Sequence, residues 1–325
     1  MNVTFPGFVD LQVNGFAGVD FNTPARSSEQ ICKAMDAMRA TGVTRCLPTL
    51  ITSSFEDFAA CTKAILASSD PAIAGFHMEG PYISPEDGAR GAHPIAHVIP
   101  PSIEDFKRRQ DAAGGKIVLV TIAPETPGAI RLIEYLVSQN IRVAIGHSMA
   151  KHDDIQNAIK AGATMSTHLG NGCPQMVHRH NNMIWEQLAA DELHAGLIVD
   201  GHHLPPAVVK SMIRAKGLSR SILVTDAISA AAAPPGRYML SGFEVEADAN
   251  GRVSQAGASN LAGSSLTINA AVANTARFCG LTLEEVLPLA SIQPANYIGI
   301  EPAGVINADW DPDKYQLVIR DVKSK

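Results

Sequence analysis

At several points along this 325-residue chain a polar side chain able to do chemistry follows directly on a short apolar run. These points are Gln12-Val13-Asn14-Gly15, Glu79-Gly80-Pro81, Gly146-His147-Ser148, Thr167-His168-Leu169, Asp200-Gly201-His202-His203 and Thr225-Asp226-Ala227. Glu79, His147 and His168 supply one carboxylate and two imidazoles, the ligand set of many catalytic zinc sites, with a fourth position left for water. A single histidine at a strand end is more often a hydrogen-bonded structural residue, but three such groups converging on one axis point to a metal. Asp226, at the end of the last run, is placed to reach a metal-bound water from the opposite side, the position of a general base. Its other reading is a helix N-cap. The alanine-rich stretch 227–233, followed by Pro234-Pro235, reads as a loop instead.

For these residues to converge, the runs before them must be neighbouring strands. Apolar, β-branched segments recur at 8–13, 43–50, 72–78, 116–122, 142–145, 164–168, 194–199 and 221–225, each bounded by Gly, Pro or polar residues. Helix-like segments lie between them at 28–40, 55–68, 102–112, 129–138, 153–161 and 206–215, several opened by Ser or Asp and closed by Gly. Strands alternating with helices imply parallel pairing. Continuous apolar runs imply burial on both faces, so the expected fold is α/β, a (β/α)8 TIM barrel whose active site sits at the C-terminal ends of the strands. The barrel is expected over 6–300. Residues 238–257 read as a hairpin insertion around Asn250-Gly251, and 265–278 as a helix. A further helix and a strand-like 315–319 complete the tail. Residues 301–325 are expected to form a small, reduced β appendage, with 1–5 as a remnant of its N-terminal part.

Composition narrows the function. With 46% hydrophobic and 18% charged residues the chain can bury a large core, and its net charge of −6 comes without a block of like charges. Neither nucleic acid nor a membrane surface is an expected partner; a small molecule is. Residues 1–8 lack a basic segment followed by an apolar run, so no export signal is expected. Cys32, Cys46, Cys61, Cys173 and Cys279 are odd in number, widely spaced and free of CxxC pairs, the pattern of reduced thiols in a cytoplasmic protein.

An ordered series of motifs adds a resemblance. Pro6-Gly7-Phe8-Val9-Asp10 with Gln12-Val13-Asn14-Gly15, then His77-Met78-Glu79-Gly80-Pro81, Arg90-Gly91-Ala92-His93, Gly146-His147-Ser148, Thr167-His168-Leu169, Asp200-Gly201-His202-His203, Leu223-Val224-Thr225-Asp226-Ala227 and Leu261-Ala262-Gly263-Ser264-Ser265 follow one another. The series resembles the N-acetylglucosamine-6-phosphate deacetylase branch of the amidohydrolase superfamily, from residue 6 to about residue 310. The resemblance implies that Glu79, His147 and His168 hold the metal and that Asp226 is the catalytic acid/base. It further implies that His93, with Ala92 beside it, sits near the acetamide carbonyl and His203 near the sugar hydroxyls. Asn171 and the backbone of Gly172 would lie near the phosphate, with Arg179 contributing. One divalent ion per subunit is implied, Zn2+ first, with Fe2+ or another divalent ion as alternatives. The substrate would be an N-acetylated amino sugar phosphate and the assembly a homodimer, with Arg179 reaching a neighbouring subunit's site.

Three departures qualify the match. Gln12 and Asn14 stand where many amidohydrolases have His-x-His, and neutral amides are poor zinc ligands, so one metal is expected, not two. His178-Arg179-His180-Asn181-Asn182 keeps the arginine in an unfamiliar setting, which weakens the expectation of phosphate specificity. The chain starts almost at the first barrel strand. The alternatives are an amidohydrolase acting on another N-acyl amino sugar or N-acyl amino acid, and a barrel without turnover that serves in binding.

Overall fold

The computed structural model describes residues 1–24, 26–257 and 260–323. Residues 25, 258 and 259, and 324 and 325 of the expected appendage, lie outside them.

Eight strands form one sheet: β1 (Phe8–Val13), β2 (Val43–Ile51), β3 (Phe76–Glu79), β4 (Ile117–Ile122), β5 (Arg142–Ile145), β6 (Met165–Ser166), β7 (His194–Leu197) and β8 (Ser221–Leu223). Sequence neighbours pair, and every pairing is parallel. The sheet closes just past the end of β8, where Asp226 N–H donates to Gln12 O (2.9 Å) and Asn14 N–H to Ala227 O (2.7 Å). Strands of a closed parallel barrel meet side chains on both faces, and Val9, Leu11, Leu47, Met78, Leu119, Val143, Leu197 and Leu223 are all buried. Each such side chain contributes roughly 1.5–3 kcal/mol by leaving water.

Helices α1 (Ser28–Ala40), α2 (Phe55–Ala67), α3 (Ile103–Ala112), α4 (Ala129–Ser138), α5 (His152–Ala161), α6 (Met183–Ala189) and α7 (Pro206–Lys216) follow the strands, and α8 (Ile268–Cys279), α9 (Leu283–Ala290) and α10 (Ile292–Ile298) follow β8. Their starts obey side-chain capping. Ser27 and Gln30 make a reciprocal box at α1, and Ser54 and Ser102 accept the N–H groups of Asp57 and Asp105 at α2 and α3. At the end of α5 Gly162 takes the left-handed conformation (φ 106°) that closes the helix.

The structure departs from the sequence reading in three places. Helix α6 stands where no helix is expected; it has only seven residues, and its start is set by the side chain of Asn182, which accepts from the N–H groups of Ile184 and Trp185. The expected hairpin is a three-stranded antiparallel meander, Gly236–Leu240, Phe243–Ala247 and Val253–Gln255. Its first turn is Ser241-Gly242, both at positive φ (47° and 88°), the two-residue geometry that matches the twist of paired strands. The tail holds two helices, α9 and α10, where one is expected. A separate sheet pairs Asn2–Pro6 with Val305–Asp311, and that strand with Gln316–Lys323.

Inside the barrel, below its C-terminal mouth, runs a line of polar side chains. Thr49 accepts from Val13 N–H (3.0 Å) and lies 3.4 Å from His77 Nδ1; His77 Nε2 is 2.7 Å from Thr121 Oγ1, which is 2.7 Å from Thr167 Oγ1. Burial drives the His77 imidazole down to about 4, so it is a neutral hydrogen-bonding strut. No helix among the described residues is long and apolar enough to cross a membrane.

Candidate metal centre

Glu79 is the last residue of β3, and His147 and His168 each stand two residues beyond the ends of β5 and β6. The backbone turns sharply there: His147, His168 and Asp226 all have positive φ (50°, 26° and 49°). Non-glycine residues in this region cost about 1–3 kcal/mol each, and the surrounding bonds must hold them. At His147 the following residues are tied down by Glu125, which accepts from Ser148 Oγ (2.7 Å) and Met149 N–H (2.5 Å).

The three side chains meet as expected from the sequence. Their ligand atoms lie within 4.8 Å of one another, and all three residues are buried. His168 Nε2 is 2.9 Å and His147 Nε2 3.1 Å from Glu79 Oε1, and the two Nε2 atoms are 3.1 Å apart. His147 Nδ1 faces Ala89 O at 2.9 Å and donates there, which fixes the ring with its Nε2 turned to the carboxylate. Burial would raise the Glu79 carboxyl, but the two imidazoles outweigh it and hold the group well below the usual range. One carboxylate oxygen and two imidazole nitrogens thus converge on a single point between three strand ends. The donor set therefore fits one divalent cation.

Close approach to these rings depends on glycine. At Gly172 (φ 58°) an added Cβ would lie 3.0 Å from His147 Nδ1 and 3.1 Å from His168 Cε1. Its carbonyl accepts the Ser148 N–H (3.1 Å).

Across the mouth stands Asp226, 8% exposed. Its Oδ1 accepts from Asn14 Nδ2 (2.6 Å) and Gln12 Nε2 (3.1 Å), and the same Gln12 amide lies 2.9 Å from Glu79 Oε1. Gln12 and Asn14, dismissed as ligands from their chemistry, thus hold the two carboxylates. Burial, with the Glu79 charge adding, pushes the Asp226 carboxyl up to about 6.

His93 is buried beside the cluster, its ring 4.2 Å from that of His147. Its Nδ1 meets Thr52 Oγ1 (2.8 Å) and the Thr52 N–H (3.4 Å), so Nδ1 accepts and Nε2 carries the proton. Burial, reinforced by His147, holds this imidazole well below its ordinary value, and it is a neutral donor. Ala92 packs against the apolar face of the meander. His203 Nδ1 lies 2.6 Å from Asp200 Oδ2. Burial works to raise Asp200, but the His203 ring and the N–H groups of His202 and His203 prevail and hold it low.

The expected phosphate residues are less assembled. Asn171 turns its Nδ2 back to His168 O (3.2 Å), and Arg179 is exposed, its carbonyl accepting the Trp185 indole N–H (3.0 Å). Sequence reasoning missed Thr52, Ala89 O and Asp200 as partners; the Asp200-Gly201-His202-His203 run carried a signal for the last of these.

A parallel barrel with a carboxylate–imidazole cluster that could hold a metal, and a facing carboxylate at its mouth, is the architecture of a metal-dependent hydrolase. The amidohydrolase family model matches residues 3–318, and the chain belongs to that family. An N-acetylglucosamine-6-phosphate deacetylase of Lysinibacillus sphaericus is 33% identical over 313 residues, 95% of this chain and 79% of that protein. An N-acetylgalactosamine-6-phosphate deacetylase of Escherichia coli O157:H7 is also 33% identical, over 91% of this chain and 78% of its own. The structure of a variant N-acetyl-D-glucosamine-6-phosphate deacetylase from Mycobacterium smegmatis, in complex with N-acetyl-D-glucosamine-6-phosphate, superposes with a TM-score of 0.89 at 28% identity, covering 98% of this chain and 86% of that one.

Proposed function

We propose that this chain hydrolyses the acetamide of N-acetylglucosamine-6-phosphate, giving glucosamine-6-phosphate and acetate. The observation that carries the reading is the meeting of Glu79, His147 and His168 at one point, with Asp226 held across from them by Gln12 and Asn14. Its support in relatives is the recurrence of amino-sugar-phosphate deacetylases among them.

A divalent ion held by Glu79, His147 and His168 would supply a Lewis acid for the acetamide carbonyl and an acidified water. The protein's own groups do the rest. Asp226, with Oδ1 committed to the two amides, has Oδ2 left to take a proton from the attacking water. The same carboxylic acid then returns that proton to the amine nitrogen as the C–N bond breaks, since an amine anion is a very poor leaving group. His93 offers its Nε2–H to the carbonyl oxygen, and His203, oriented by Asp200, faces the sugar hydroxyls. Asn171, Gly172 and Arg179 are the proposed phosphate contacts. Zn2+ is the proposed ion, with Fe2+ as the alternative, and a homodimer is the proposed assembly. The five cysteines are free thiols, which supports a reducing, cytoplasmic setting.

A second reading is favoured by the galactosamine relative: the C4 epimer, N-acetylgalactosamine-6-phosphate, as substrate. Acetate release by metal-analysed protein from the two sugar phosphates and from unphosphorylated N-acetylglucosamine separates these readings. Cleavage of the glucosamine epimer in preference to the others supports the proposal. Failure on all three, with one metal bound per chain, refutes it.

A further inference from the structure

The run Leu261-Ala262-Gly263-Ser264-Ser265 has no part in the chemistry above, yet it packs against the residue that performs it. Ser264 is 1% exposed, and all of its polar atoms are hydrogen-bonded, three of the four bonds going to the backbone around Asp226. Its hydroxyl donates to Thr225 O (2.6 Å) and accepts from Leu266 N–H (3.1 Å). Its N–H donates to Asp226 O (2.9 Å), and its own carbonyl accepts the Ile228 N–H (2.9 Å). The peptide units before and after Asp226 are therefore both gripped by one serine. Gly263 permits this approach: a Cβ there would lie 2.3 Å from Ile228 Cγ2 and 3.3 Å from Asp226 O.

The residue just before Asp226 is held by Asp10, through its side chain and its N–H. The Asp10 carboxylate accepts from Thr225 Oγ1 (2.5 Å) and Thr225 N–H (3.3 Å), and also from Gln12 N–H (3.2 Å). Asp226 keeps a left-handed backbone (φ 49°) between these two anchors. Relaxation of that backbone would swing the carboxylate away from Asn14 and from the reacting water.

We infer that Ser264 is a positioning residue, which with Asp10 holds the Asp226 backbone in the conformation that presents its carboxylate to the substrate. The inference rests on the reading of Asp226 as the base.

The test compares Ser264→Ala, Ser264→Thr and Asp226→Asn in the metal-loaded full chain, measuring kcat, KM, metal content and melting temperature. Misplacing the base should lower kcat about tenfold or more in Ser264→Ala, with KM within about twofold and one metal retained, because geometry at the reacting atoms affects the barrier more than binding. Ser264→Thr, which keeps the hydroxyl, should recover most of the loss. If Ser264→Ala fails to fold, Ser264→Cys, with a weaker donor of nearly the same volume, should show the same split. Wild-type kcat in a folded Ser264→Ala, or a rise in KM at unchanged kcat, overturns the inference. Full turnover in Asp226→Asn would instead overturn the reading of the base, whatever Ser264 does.

Discussion

The side-chain amide of Asn14 donates a 2.6 Å hydrogen bond to the carboxylate of Asp226. These residues are 212 positions apart, and the bond crosses the joint where the first and last strands of the barrel meet. It stabilises the charged form of the base, so removing it has a direction that can be measured. A base works only when deprotonated, so activity rises with pH as Asp226 loses its proton. Its value of about 6, lowered further by any cation in the cluster, puts the wild-type acid limb at or below about pH 6. A hydrogen bond to a charged group is worth about 1.5–3 kcal/mol, and one pKa unit is about 1.4 kcal/mol. In Asn14→Ala the acid limb of kcat/KM should therefore move to higher pH by roughly one to two units. An unmoved limb would show that this amide does not govern the base.

Loss of the carboxylate itself is a sharper change. Asp226→Asn keeps the shape but cannot take or return a proton, and kcat should fall by roughly 10²–10⁴-fold. Metal content should stay near that of the parent, because the cluster atoms belong to Glu79, His147 and His168. Elemental analysis alongside acetate release checks both halves.

The metal set makes the opposite prediction. Chelation should abolish acetate release, and readdition of Zn2+ or Fe2+ should restore it. Glu79→Gln removes the anionic oxygen that faces both imidazoles at 2.9 and 3.1 Å, and its metal affinity should drop by at least tenfold. Competition against a chromogenic chelator reads this without any turnover. Parental affinity in Glu79→Gln would remove this residue from the ligand set.

Gly172 supplies a steric test. An alanine there is strained at φ 58° and brings a methyl group to 3.0 Å from His147 and 3.1 Å from His168. The strain costs about 1–2 kcal/mol, a small part of the stability of a barrel this size, whereas displaced imidazoles lose metal affinity directly. Gly172→Ala should thus melt within a few degrees of the parent but hold metal more weakly. Equal metal affinity would show that the rings can yield without cost.

The barrel was legible because strands buried on both faces read as unbroken apolar runs, and residues such as Val9, Leu119 and Val143 leave no polar face to confuse the period. Glu79, His147, His168 and Asp226 were legible for a related reason: each follows such a run, and barrel geometry brings strand ends together. What stayed hidden was set by contacts between distant residues. The bridge from Gln12 to Glu79 and Asp226 spans 67 and 214 positions, and a neutral amide gives no hint of such a task. The Ser241-Gly242 turn lies between short segments of mixed polarity, so the first two strands of the meander read as one arm of a hairpin. Helix α6 was too short for its apolar period to rise above the His- and Asn-rich loop before it.

The joint that closes the barrel also bears on how the protein loses activity on heating. Strand β8 ends at Leu223, and the bonds that carry the sheet on to β1 come from Thr225, Asp226 and Ala227 reaching Asp10, Gln12 and Asn14. A few bonds at a strand end open more readily than the full ladders between β2 and β5, and proteins come apart locally along such weak lines before they unfold. Each opening separates Asp226 from Asn14, so catalytic failure and loss of the joint are one event. Inactivation should then run ahead of the loss of helical ellipticity on warming, with the Asp226 and Asn14 amides exchanging with solvent earlier than those of the barrel staves opposite.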